Sequence, residues 1–276
     1  MSVHRPALGL LIVAVLIGGA GCRRAEPALT PEQARAKGEE LLRAMSTSLS
    51  SSQSFSFTAD ERRDVAGAGG SKTERRATRQ VSVRRPNALT VIHKGDSRDG
   101  QSWYDGKQLT VVAHGKKVWA RGPMPGTLDE AIDFISAEYA LQLPTADLLY
   151  SNPYDAMMTP ETTGGWVDRQ QVGNLQCDHL SYSQPVVDWE IWLGPDQHLP
   201  CQVKITYKNE PGKPATLVTF SNWNPSPQFS ADTFTPKVPD GYQRLKMMRH
   251  ATVVDEKAEA DAAAAEAAAA KSPKKK

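Results

Sequence analysis

The residues of this 276-residue chain best able to do chemistry are three cysteines, six histidines and a glycine-rich run beside a lysine. His4, His93, His114, His179, His198 and His250 are scattered. There is no Gly-x-Ser-x-Gly elbow, no His-Glu-x-x-His and no Cys-x-x-Cys. Asp178 and His179 are adjacent in a strand-like stretch, so their side chains point to opposite faces and do not form a dyad. Gly67 to Thr73 invites comparison with a phosphate loop, but the two required glycines would fall on Ala66 and Ser71. The run reads instead as a hairpin loop. The expectation is a protein with no catalytic residues, no metal site and no cofactor.

Cys22 has a different chemistry available. His4 and Arg5 precede an apolar run, Leu8 to Ile17, and then Gly18-Gly19-Ala20-Gly21-Cys22. The run is too short to span a bilayer and ends in small residues, as a bacterial secretory signal does. The segment resembles a lipoprotein box, with Gly19 standing where an aliphatic residue is usual. The expectation is a signal peptide over 1–21, acylation of Cys22 and a membrane-anchored protein on the periplasmic side of a bacterial envelope; ordinary cleavage nearby is the alternative. Cys177 and Cys201 then remain as a pair in an oxidising compartment. They lie near the starts of two strands separated by one other. A bond straight across that strand would exceed disulfide reach of ~7 Å between Cα atoms. Only a bond around its end works, and two buried free thiols are the alternative.

Bulk charge selects no nucleic-acid partner, since the formal net charge is only +2. Residues 61–85 are locally basic: eight Arg and Lys against three acids, 8 − 3 = +5. A solvated outer sheet face accounts for this, with a docking patch for anionic head groups as the alternative.

The elements that would position any site are legible. After a tether over 22–29, Thr30-Pro31-Glu32-Gln33 forms a capping box. Ala34, Leu41, Leu42, Met45 and Leu49 follow on one helical face, and the Ser-rich stretch 46–54 frays into a linker. Strand patterns follow through Arg121, with Asp105-Gly106 a hairpin turn. Thr127 to Glu130 caps a second helix with Leu128, Ala131, Ile132, Ile135 and Tyr139 along one face. Pro144 stops it, and 145–150 and 153–158 form short helical pieces. Five more strands run from Gly165 to Trp223. Pro225, Pro227, Pro236 and Pro239 exclude regular structure near the end, and 246–276 is a low-complexity Ala/Glu/Lys tail.

About eleven short strands joined by turns make an antiparallel, mainly β domain over 30–245 that curls around its helices. Trp189 and Trp192, three apart in one strand, face opposite sides. The candidate lining of an enclosed space is Val81, Val83, Trp103, Val111, Leu128, Ile132, Ile135, Tyr139, Trp189 and Ile191. A curled sheet of this size encloses more space than a few short helices fill, and a filled core is the alternative.

Several motifs together resemble a family of predicted periplasmic proteins defined as a domain of unknown function. They are Tyr104-Asp105-Gly106-Lys107, Ala146 to Tyr154, Val187 to Trp192, Leu199-Pro200, Ile205 to Lys208 and Ser221 to Asn224. The resemblance covers roughly residues 30–245. That family is similar in architecture to the lipoprotein carriers LolA and LolB and the sensor RseB, half-open antiparallel barrels closed by helices. The resemblance implies an apolar cavity for acyl chains. The expected partners are an acyl chain or amphiphilic lipid, or another envelope lipoprotein, and the expected state is a monomer. It transfers no functional residue onto this chain. A protein-interaction module with a filled core is the competing expectation.

Overall fold

The structure is a computed structural model describing residues 29–66, 72–96, 99–139, 144–230 and 232–248. The calls on the signal peptide, Cys22, the tether before Leu29, the glycine-rich loop over 67–71 and the tail beyond Met248 lie outside the described residues.

The chain runs α1 (Pro31–Ser51), β1 (Ser54–Ala66), β2 (Lys72–Arg84), β3 (Ala88–Gly95), β4 (Gly100–Tyr104), β5 (Gln108–Ala113) and β6 (Val118–Pro123). Then come α2 (Leu128–Tyr139), a 3₁₀ turn (Ala146–Leu149) and α3 (Pro153–Met157). The second set of strands is β7 (Thr163–Val172), β8 (Leu175–Ser183), β9 (Val187–Leu193), β10 (Pro200–Tyr207) and β11 (Ala215–Asn224), with β12 (Gln243–Leu245) last. All twelve strands form one sheet in the order β12-β6-β5-β4-β3-β2-β1-β11-β10-β9-β8-β7. The fold is a mainly β half-barrel.

Because β6 and β7 stand near opposite ends of that order, the segment joining them crosses the sheet's inner face, and this segment carries α2, the 3₁₀ turn and α3. It is pinned at both sides. Arg85 donates to the carbonyls of Leu149 and Tyr150 at 2.9 and 2.8 Å. Ser151 N–H donates to Asp129 at 2.8 Å, and the Tyr150 hydroxyl to Asp133 at 2.6 Å. On the α1 side, Ser46 Oγ donates to Asn152 and accepts from Tyr154 N–H, each at 3.1 Å.

Both capping boxes form. Thr30 and Gln33 exchange bonds, as do Thr127 and Glu130. The expected fraying after residue 46 does not occur, and α1 continues to Ser51. Thr47, Ser50 and Ser51 hydroxyls bond carbonyls three or four residues back, satisfying themselves within the helix. Leu42, Met45 and Leu49 are fully buried, and their packing outweighs weak helix propensity. α1 sits close on β7 because neither surface has a Cβ at the crossing. A Cβ on Gly38 would lie 2.8 Å from Gly165 Cα, and one on Gly165 would lie 2.5 Å from Ala34 O.

The eleven expected strands are present, and β12 is an addition, pairing parallel with β6. Among the described residues between them, no helix or strand separates β11 from β12. The chain then reaches the open edge of β6, whose backbone groups need partners, and Gln243 N–H bonds Lys117 O at 3.0 Å. On the way it covers the outer face: Thr90 donates to Thr233 O at 2.9 Å, and Phe234 is buried under Arg84.

Candidate functional site

Register decides which side chains can meet. One inner row runs Phe55, Val83, Leu89, Tyr104, Leu109, and the next Phe57, Val81, Val91, Ser102, Val111. The alternate row, Ser82, Thr90, Trp103, Thr110, is the outer one. Trp103 therefore does not line the interior; it is buried on the opposite face. Tyr104 takes the inward position, its hydroxyl bonded to Thr127 O at 3.0 Å, and burial first, then Glu130 and Asp105, pushes its pKa up to about 12.

Most of the expected lining is closed core. Val83, Leu128 and Ile191 are 0–1% exposed and Val81 6%, in one cluster with Leu42, Met45 and Leu49. Ile132 is buried, and Ile135 and Tyr139 are half-buried against that core. Along this stretch Leu42, Met45 and Leu49 of α1 pack among the expected lining as core.

Space remains elsewhere. A cleft of about 270 Å³ lies between the crossover and the sheet. Its floor is Trp189 opposite Ile205, Val187 opposite Tyr207, and Val203. Its roof is Pro144, Leu148, Ala156 and Met157. Tyr182 stacks on Trp189 at 4.4 Å and holds that wall. Gln184 at the rim spends its amide on Met157 O and Thr162 Oγ1, at 2.8 and 2.9 Å. Asp147, in the first residues of the 3₁₀ turn, lines the same cleft. Burial pushes its carboxyl up to about 6, while its own backbone N–H pulls it down. Its side chain is nonetheless exposed, and solvent tempers the upward push. Of the expected lining only Trp189 borders this cleft. Val187, Val203, Ile205 and Tyr207 were visible as apolar alternation, but nothing local said which segment would roof them.

A larger opening of about 450 Å³ lies where β6, β12 and the end of α2 meet. Arg121, Arg244 and Lys246 share its lining with Tyr139, Leu245 and Met247. It is wide and cation-rich, whereas the smaller cleft has apolar walls on two sides, which suits a ligand better.

The outer face of β7–β10 holds a polar cluster that sequence reasoning missed. His179 Nδ1 lies 3.1 Å from Asp168, its Nε2 3.0 Å from Glu190, and Lys204 donates to Glu190 at 2.7 Å. The imidazole stacks on Trp192 at 4.4 Å. Asp178 does point to the other face, where Arg169 and Trp166 bond it. The partners of His179 come from across the ladder, and only register reveals them. Burial opposes ionisation of Glu190, but Lys204 and His179 outweigh it and hold the carboxyl below its usual range. With both ring nitrogens occupied and its side chain 8% exposed, His179 has no access to a substrate.

Beside it, Cys177 and Cys201 are bonded, with Cα atoms 7.0 Å apart. The link passes the end of β9 at Gly194, where a Cβ would lie 3.5 Å from Cys201 Sγ. An irregularity between Pro200 and Gln202 lets Cys201 join the outer cluster with Cys177 and Trp192.

The profile of the family described as Predicted periplasmic protein (DUF2092) matches residues 38–248, and the chain belongs to that family. No curated protein matches the sequence. Among solved structures it is similar to an uncharacterized conserved protein from Thermus thermophilus, 10% identical, covering 76% of this chain and 98% of that one, with a TM-score of 0.45. It is similar to the MucA/MucB complex of Pseudomonas aeruginosa, 13% identical over 72% of this chain and 61% of that one, TM-score 0.42. A LolA superfamily protein from Nitrosomonas europaea is 10% identical over 72% of this chain and 98% of that one, TM-score 0.34. Among the described residues no helix is long and apolar enough to cross a membrane.

Proposed function

We propose that this member of the predicted periplasmic family is an envelope binding protein, not an enzyme, tethered to a membrane through acylated Cys22. It shelters the apolar tail of an amphiphile, or the acyl chain of another lipoprotein, beneath the crossover. The observation that carries this reading is the cleft of about 270 Å³ with Trp189, Ile205 and Val203 below and Leu148 and Met157 above. Each methylene moved from water into such walls gains ~0.8 kcal/mol, so a modest chain offsets the cost of association. The sealed state of His179 supports binding over catalysis.

A second reading has its own support. The closed core around Leu42, Val83 and Ile191 fits a protein-interaction module, and Val167 and Leu175 on the edge hairpin are about half exposed.

The test begins with lipid extraction of protein purified from its native envelope. Delipidated wild type should take up a fluorescent acyl probe with an uncharged head, and Ile205→Glu should abolish uptake, because an unpaired charge in the floor must be desolvated. Native protein without lipid and wild type without uptake would leave the interaction module standing. Separately, Cys22→Ser should release the protein from membranes.

A further inference from the structure

We propose that the cleft selects amphiphiles with a cationic amino head, read by Asp147; this rests on the cleft being an amphiphile site. Asp147 lines the apolar cleft and its side chain is exposed, so the head group of an amphiphile whose tail lies in the cleft can reach it. Among the described residues lining the cleft none is basic. The acidity of Asp147 responds to burial and to its own backbone N–H, with no neighbouring cation contributing. Gln184, the other strongly polar side chain there, already holds Met157 and Thr162 with its amide. Among the described residues lining the cleft, Asp147 is the one carboxylate and no basic side chain stands with it. An ammonium beside it gains an ion pair, an alcohol gains a hydrogen bond, and a carboxylate head meets like charge. The discrimination is therefore built as much from repulsion as from attraction.

The larger opening has the opposite character, with Arg121, Arg244 and Lys246 in its wall. A fatty acid could settle there, so uptake of an anionic probe alone does not report on Asp147. Head groups must be varied on one tail.

The experiment titrates dodecylamine, dodecanol and dodecanoate, each below its solubility or micelle limit, into the full delipidated chain by calorimetry. It is repeated with Asp147→Asn, whose exposed side chain puts the fold at little risk, and with Ile205→Trp, which blocks the cleft and whose fold is checked by circular dichroism. Dodecylamine should bind tightest. Asp147→Asn should weaken it about tenfold, equivalent to 1.4 kcal/mol, and leave dodecanol nearly unchanged. Ile205→Trp should remove the binding of both. If dodecanol matches the amine and Asp147→Asn changes neither, head selection is wrong while the cleft remains an amphiphile site. Amine binding that survives Ile205→Trp also overturns the proposal. If none of the three binds wild type, the amphiphile reading falls and the proposal with it.

Discussion

The two openings flanking the crossover are built from opposite chemistry. The smaller lies under the 3₁₀ turn and α3, apolar on two sides, with Asp147 as its charged residue. The larger is where α2 ends against β6 and β12, and carries three cations. The first is framed by long paired strands whose side chains come in fixed cross-strand partners, Trp189 with Ile205 and Val187 with Tyr207. The second is framed partly by a three-residue edge strand. Volume ranks them one way and wall chemistry the other. Shelter for a chain depends on apolar atoms close on both sides, so chemistry is the better guide.

The comparison can be broken most strongly at the shared floor. Ile191 is fully buried and pairs with Val203 of the smaller cleft. Ile191→Ala should cost ~2–5 kcal/mol in denaturant unfolding. A cost well under ~1 kcal/mol would mean the cleft runs on into the barrel, and the contrast between filled core and cleft would dissolve. Next in size is the disulfide behind that floor. It closes a separation of 24 residues, and replacing Cys177 and Cys201 together with Ser should cost ~2–4 kcal/mol. An unchanged melting midpoint would mean the β9 end is held by the His179–Trp192 cluster alone.

Smaller effects come from titration. Asp147 is raised in the folded state, from 3.8 to about 6. The folded protein then binds more protons through that window, so its favourable contribution is complete below 3.8 and lost as pH rises through about 6. Asp147→Asn should be the more stable protein at neutral pH, with the advantage vanishing in acid. Glu190 runs the other way. Its folded value lies below 4.5, so its stabilisation is present above that value and lost as pH falls through the lower one. Glu190→Gln should flatten the acid limb of a stability-versus-pH curve. Parallel curves for both variants would show that neither carboxyl is tuned by its surroundings. Smallest is Arg244→Ala in the cation-rich opening, expected to change stability by less than ~0.5 kcal/mol. It should lower dodecanoate binding and leave dodecylamine binding as it was.

What could be read from the chain alone was what neighbours in sequence settle. Thr30 with Gln33 and Thr127 with Glu130 announce helix starts because the partners are three residues apart. Asp105-Gly106 announces its turn for the same reason: Gly106 sits at φ +85° and Asp105 accepts from Lys107 and Gln108 N–H. Alternation announced eleven strands, and the opposed faces of Trp189 and Trp192. Strand period tells that Trp103 and Tyr104 point apart, but not which of them points inward. That was decided when Tyr104 fell in register with Leu89 and Val83, while the chain past β11 covered the other face. The same holds for His179, whose carboxylates are cross-strand, and for Asp147, which lines one cleft with Trp189 and Ile205 only because the crossover lies over β9 and β10. Local chemistry acts over a few residues and is written in them. A cleft is made by groups distant in sequence, and its position follows from packing the whole chain at once.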